Sequence, residues 1–415
     1  MRTGNRRALR LAAALTVAGV FLAACSDTPT GSGAGSTSIA APSASSVATA
    51  SGAAAGDAVA SLPADLQGAY AGLDQPVGKT PLESFMAKKP KPWTIGYASS
   101  YDGNTWRAEA MNRIMKDLLP KYQQAGIVKD VVVTQSNLVD ATQIQQIRQL
   151  ADQGVDAIII CCSSISALNE AVKYAYDKGV PTFTWSGYLT SPYSLNVSAN
   201  YRQAGRDAAK WLADKIGGKG NVLNVVGIPG AASSDTYDAG VKEGLKAYPN
   251  IKIVGDVAGK WTDPIAKAEV LKFLATHPGK IDGVITQSAQ ETGVLQAFLS
   301  SGRDVPPMTL GGEAGAACYW RKNPSWVDKG FHVWPPGDEM QFAFEAAVRT
   351  LEGQGPKIAS LIRTSAEFSI DDVNKALPAD CDVNGQGWLQ PGPDEWMPSS
   401  TLDKFFDKPA DPLKG

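Results

Sequence analysis

The chain has 415 residues, 44% of them hydrophobic and 19% charged, a globular composition with length for two ordinary domains and further segments. Its 39 Lys+Arg stand against 41 Asp+Glu, a net charge of -2, which excludes the basic footprint of a nucleic-acid binder. The only histidines, His277 and His332, leave no material for a multi-histidine metal site or proton relay, and no metal or cofactor is expected.

Charge is uneven along the chain. Residues 1–24 hold Arg2, Arg6, Arg7 and Arg10 and no acid; removing these four from the 39 leaves 35 basic against 41 acidic residues, a net charge of -6. The apolar run Leu11 to Ala24 that follows is shorter than the ~20 residues of a membrane span. A basic start, a short apolar stretch and small residues before a cut site predict a signal peptide over 1–24. The junction Leu22-Ala23-Ala24-Cys25 resembles a bacterial lipobox, which implies that Cys25 is lipidated and anchors the protein to the outer face of the cell membrane. Each buried CH₂ of such an anchor contributes about 0.8 kcal/mol. Arg6-Arg7 resembles a twin-arginine signal without its usual Phe-Leu, so the export route stays open.

Residues 26–61 are mostly Ser, Ala, Gly, Thr, Pro and Asp, too poor in apolar surface to offset their ordering entropy. They read as a flexible tether, followed over 62–92 by a transition with Pro63, Pro76, Pro81, Pro90 and Pro92. The folded body is expected to begin near Trp93.

From there β-branched runs alternate with helical segments. Strands are predicted at Trp93–Ala98, Asp130–Gln135, Asp156–Cys161 and Pro181–Trp185, with helices near 105–125, 141–153 and 166–178. After an extended piece at Ser194–Ala199 and a helix at 202–216, strands recur at Asn221–Val226, Lys252–Val257, Asp282–Thr286 and Met308–Gly311. Helices lie near 233–247, 263–276, 290–301 and 338–353. This alternation predicts an α/β fold of two doubly wound parallel-sheet lobes. The first lobe is expected to be 93–198 plus about 335–358, and the second 199–334 plus about 359–370. The Pro-, Gly- and Asp-rich residues 371–415 read as a wrapping extension. Chain crossings between lobes are expected near Asn196–Asn200, Val333–Pro336 and 355–365.

In such sheets ligands bind beyond the C-terminal strand ends. The loops there carry Tyr101, Asn104 and Trp106; Trp185 and Ser186; Ser234 and Asp235; Trp261; Ser288 and Gln290; Glu313; and Trp334. Indoles stack on the C–H faces of a sugar ring while amides and carboxylates bond its hydroxyls. Four tryptophans at strand ends therefore point to a carbohydrate or polyol cleft.

The order and spacing of Thr94-Ile-Gly-Tyr-Ala-Ser-Ser100, Gly103-Asn-Thr-Trp106, Gly154-Val-Asp-Ala-Ile-Ile-Ile160, Gly179-Val-Pro-Thr-Phe-Thr184, Asp282-Gly-Val-Ile-Thr286 and Gly311-Gly-Glu313 resemble the type I periplasmic sugar-binding proteins of ABC importers over 94–353. The resemblance implies that Asn104 and Trp106 contact ligand and that Trp261 is the second-lobe aromatic. It also places Ser288 near Gln290, Glu313 and Trp334 at ligand-contacting positions. The family's Asp-Arg pair after the fourth strand is replaced by Ser186-Gly187, and its second-lobe arginine by Asp235 or its neighbours, which implies a less charged or larger polyol.

Other chemistries are weaker. Gly227–Ser234 lacks both GxGxxG and a Walker lysine. Ser163, Ser186 and Ser233 lack a histidine in a nucleophile-elbow context. Glu291, Glu313 and Asp263 leave a carboxylate pair for glycoside hydrolysis open. With Cys25 lipidated, four cysteines allow three pairings; Cys318–Cys381 is favoured, stapling the extension to the second lobe, while the adjacent Cys161 and Cys162 are either two thiols or a vicinal disulfide. The sequence thus reads as a monomeric, extracytoplasmic solute-binding lipoprotein that delivers a sugar or polyol to an ABC permease. A ligand-presenting sensor component and a surface carbohydrate-processing enzyme are the alternatives.

Overall fold

Runs of β-branched residues form the strands, and buried helix faces cover them. The structure is a computed structural model and describes residues 52–161, 163–332, 336–363, 366–389 and 399–414. The predicted signal peptide, Cys25, the tether before Gly52, Cys162 and Trp334 lie outside the described residues.

In the first lobe, β1 (Trp93–Ser99), β2 (Val128–Gln135), β3 (Ala157–Ile160), β4 (Thr182–Thr184), β5 (Ser194–Ala199) and β10 (Ser360–Arg363) form a six-stranded sheet in the order β10-β5-β4-β3-β1-β2. Every pair is parallel. Strands buried on both faces need apolar residues at every position, and the run Ala157-Ile-Ile-Ile160 is fully buried. The helix Asp140–Gln153 ends where Gly154 adopts φ 75°, a left-handed cap that spares a Cβ its clash.

The second lobe carries β6 (Lys219–Val226), β7 (Asn250–Ala258) and β8 (Gly283–Thr286), also parallel, in the order β7-β6-β8. The predicted strand Met308–Gly311 is reduced to one bridge, Met308 to Val284. A short antiparallel pair, β9 (Gly330–His332) with β11 (Ala366–Phe368), packs here too, Phe331 meeting Trp211 edge-on at 5.8 Å.

Three expectations are corrected. Ser360–Arg363 pairs with β5 in the first lobe rather than the second, because its apolar run, buried at Ser360, Leu361 and Ile362, completes the edge of that sheet. The chain from Gly52 is not a tether: Gly52–Ala60 is helical, and Ala58, Leu62, Tyr70 and Leu82 join the main core. Burying a leucine fully contributes about 1.5–3 kcal/mol, enough to order this proline-rich segment at a few anchor points. Its hydrogen bonds strap the first crossing. Tyr70 donates to the Ser360 carbonyl over 2.6 Å, Gln75 to the Ala199 carbonyl over 2.9 Å, and Asn200 to the carbonyls of Ala69 and Ala71.

The third correction concerns the C-terminal extension, which contacts both lobes rather than the second alone. A Cys318–Cys381 disulfide fixes its start to the second-lobe helix Ala314–Lys322. Trp388 bridges Glu313 through backbone and donates its indole N–H to Thr105 Oγ1 of the first lobe over 3.1 Å. Farther on, Phe405 and Phe406 are fully buried, and Arg349 of the helix Pro336–Leu351 donates to Asp403 over 2.6 Å. Cys161, predicted as a thiol or half of a vicinal bond, is a buried free thiol.

Candidate functional site

The C-terminal ends of the two sheets face each other, and the loops between them enclose a cavity of about 80 Å³. On the first-lobe side Asn104 caps the helix Thr105–Asn112, its Oδ1 accepting from the Arg107 N–H over 2.9 Å. That cap leaves Nδ2 free to donate to the Trp261 carbonyl of the other lobe over 3.0 Å. One residue into the helix, Trp106 lines the cavity and stacks on Trp185, ring centroids 4.8 Å apart and planes 7° from parallel.

Arg107 completes this wall. Its guanidinium lies 5.3 Å from the Trp106 ring centroid and 5.0 Å from that of Trp185, and it donates to Cys161 Sγ. Behind it Glu339, 1% exposed, accepts the Ser186 N–H over 2.7 Å and holds that residue at φ 55°. Burial pushes the Glu339 carboxyl up to about 8, against the opposing pull of the Ser186 amide and Arg107.

On the second-lobe side Lys260 and Trp261 both take left-handed backbone, φ 56° and 54°. Non-glycine residues pay for this conformation, so the surroundings must enforce it. Gln290 does so: fully buried, it accepts the Trp261 N–H over 2.9 Å and donates to the Val225 carbonyl over 2.9 Å. The indole N–H of Trp261 donates to Gln287 over 3.0 Å, and Gln287 in turn donates to the Ser234 carbonyl over 3.0 Å. Gly227 lies under that ring; a Cβ there would come within 2.2 Å of the indole. Trp106 and Trp261 thus stand on facing walls, with amide, hydroxyl and guanidinium groups between them.

Of the residues singled out in the sequence, Asn104, Trp106, Ser186, Trp261 and Ser288 line this cavity together. Trp185, Ser234 and Gln290 lie beneath it, fully or almost fully buried, and shape it through the residues above. Tyr101 and Asp235 line an adjoining, wider space. Glu313 lies elsewhere: its carboxylate accepts the Thr292 N–H over 2.8 Å, while Asp263 accepts that of Gly293 over 2.6 Å. Both therefore serve the N-terminus of the helix Glu291–Ser301 instead of the cavity, while Glu291, its first residue, accepts from the Gly311 N–H. Burial raises all three, Glu291 to about 7 and Glu313 well above its ordinary value. The three carboxyls weighed for glycoside hydrolysis are therefore a buried structural cluster.

Sequence reasoning missed Arg107, Tyr201, Tyr237, Gln287 and Glu339. Arg107 was legible as the neighbour of Trp106 on the same helical turn. Glu339, in the first turn of the helix Pro336–Leu351, is placed at Ser186 only by the chain's return from the second lobe.

A periplasmic binding protein domain is matched over residues 95–355. The chain is 30% identical over 195 residues to the xylitol-binding protein of Mycolicibacterium smegmatis, covering 46% of this chain and 56% of that protein, so the match spans about half of that relative's length. It is 27% identical over 264 residues to the D-xylose-binding periplasmic protein of Escherichia coli, covering 61% and 77%. Among solved structures it resembles an ABC transporter solute binding protein from Thermobispora bispora, at TM-score 0.64 and 25% identity, with 72% of this chain and 92% of that one covered.

Proposed function

This chain belongs to the periplasmic binding protein domain family, and from that premise we propose that it is the solute-binding component of an ABC importer, taking a sugar or polyol between its two lobes. The observation that carries this reading is the pair of indoles, Trp106 and Trp261, on opposite walls of one cavity, with Asn104, Arg107, Ser186 and Ser288 between them. Stacking faces with fixed hydrogen-bonding groups between them suit a ring or chain that is apolar on its C–H faces and polar at its rim. Relatives named for xylitol and D-xylose support the same ligand class.

Binding draws on both lobes, so ligand favours the closed arrangement by the difference between its affinities for closed and open forms. The closed form then presents a joint surface of both lobes to a membrane permease. We further read Cys25 as the lipid anchor, since it follows Leu22-Ala23-Ala24 directly; Cys25→Ala releases the protein from the membrane fraction under this reading, and unchanged retention with normal cleavage contradicts it.

Isothermal titration of the protein without its signal peptide against xylitol, D-xylose, D-ribose, D-galactose and myo-inositol tests the ligand class. Saturable binding of at least one of them is the expected result. Turnover of a glycoside substrate in the same preparation, without such binding, would replace the reading with an enzymatic one.

A further inference from the structure

The cavity between Trp106 and Trp261 does not end at Arg107. Past Arg107, Ser186, Ser233 and Trp261, which line both spaces, the cleft widens into a chamber of about 440 Å³, against about 80 Å³ for the first. Its walls come from both lobes: Ser100, Ser163 and Ser164 on one side, Ala232 and Thr236 on the other.

The two spaces differ in chemistry. The first is bounded by indoles. The second mixes serine and threonine hydroxyls of both lobes with apolar side chains such as Leu138 and Ile165, and has the carboxylates of Asp140 and Asp235 at its rim. Ser163 Oγ is shielded from solvent and makes no hydrogen bond among the described residues. A buried hydroxyl without a partner is destabilising, so a ligand that satisfies it binds more tightly than one that does not.

Charge narrows the ligand class. Among the described residues lining the chamber, Arg107 is the one cation, and its guanidinium already engages Cys161 Sγ and two indoles. The two carboxylates repel an anionic substituent and accept hydroxyl donors. The wall therefore matches a neutral, hydroxyl-rich group, its rim held by hydrogen bonds and its C–H faces by the apolar and aromatic side chains beside them.

Resting on the sugar reading above, we propose that the site takes a neutral ligand of two linked units, a disaccharide or glycosylated polyol. One unit lies between Trp106 and Trp261, and the second occupies the wider chamber beyond Arg107.

The test is isothermal titration with matched pairs: D-xylose and xylobiose, D-glucose and cellobiose, D-galactose and lactose. In at least one pair the disaccharide should bind tenfold or more tightly than its monosaccharide. Ala232→Trp and Ser164→Trp, which fill the chamber from opposite lobes, should erase that advantage while leaving monosaccharide affinity within twofold. Ser163→Ala, a change too small to endanger folding, should weaken the disaccharide severalfold and leave the monosaccharide alone. Monosaccharides binding as tightly as their disaccharides in every pair, or an advantage untouched by these variants, overturns the two-unit proposal and leaves the sugar reading standing. No binding of any sugar of either length, by protein with a native circular dichroism spectrum, overturns the sugar reading and this proposal with it.

Discussion

Asn104 and Trp261 join the two lobes directly: the Asn104 side-chain amide donates to the Trp261 carbonyl over 3.0 Å. The same Asn104 caps its own helix, and the same Trp261 sits on left-handed backbone fixed by Gln290. A side chain already oriented by its cap loses little freedom when it reaches across the cleft, so the contact is well suited to closing it.

Asn104→Asp keeps the cap oxygen and removes the donor, leaving a carboxylate against a carbonyl. A neutral hydrogen bond contributes about 0.5–1.5 kcal/mol net. The variant should bind ligand about three- to tenfold more weakly and show a larger radius of gyration by small-angle scattering. Unchanged compactness and affinity would remove this contact from the closing mechanism.

Trp106→Ala and Trp261→Ala each take one stacking face away. Either should weaken ligand binding by roughly 1–3 kcal/mol, the range for losing buried aromatic area. Because both indoles line the cavity, ligand should also change intrinsic fluorescence, and each variant should lose part of that change. Near-native affinity in both would place the ligand elsewhere.

The Cys318–Cys381 bond closes a loop with a sequence separation of 63. In the chain-entropy account a crosslink of that length contributes about 4 kcal/mol. Cys318→Ser and Cys381→Ser should each lower Tm to a similar extent, and the double variant should be no worse than either. Peptide mapping under non-reducing conditions that finds both thiols free contradicts the bond.

Buried acid gives the protein a pH signature. The Glu291 carboxyl keeps its proton in the folded state up to about 7, whereas the unfolded chain releases it near 4.5. A raised carboxyl is an advantage fully present below the unfolded value and lost as pH climbs through the folded one. Through Glu291, stability should therefore fall from about pH 4.5 to about pH 7, and the Glu339 carboxyl, raised to about 8, carries the fall on beyond pH 7. Glu313 and Asp263, raised in the same cluster, act in the same direction. Glu291→Gln should flatten the decline and raise Tm at pH 8 relative to the native chain; denaturant melts across that range measure it, and an unaltered slope would contradict the assignment.

What the sequence determined by itself was whatever depends on near neighbours. β-Branched runs such as Ala157-Ile-Ile-Ile160 and glycine caps such as Gly154 set strands, helices and the α/β class, because periodicity and left-handed backbone are local properties. From the strand ends came the loops bearing Asn104, Trp106, Trp261 and Ser288. Tertiary structure alone decided which of those side chains share a wall and which lie behind it. Trp185 and Gln290 are legible as strand-end residues, yet they support Trp106 and Trp261 from beneath, because a position after a strand says nothing of depth. Nor does composition disclose that the segment before Trp93 is ordered: Tyr70 finds Ser360, a partner 290 residues away, and that pairing replaces the entropy of a tether with core burial. Glu339 reaches Ser186 and Ser360–Arg363 joins β5 for the same reason, since the chain crosses between lobes and returns. Contacts made after such a return are set by the packing of whole lobes, which no local stretch of residues encodes.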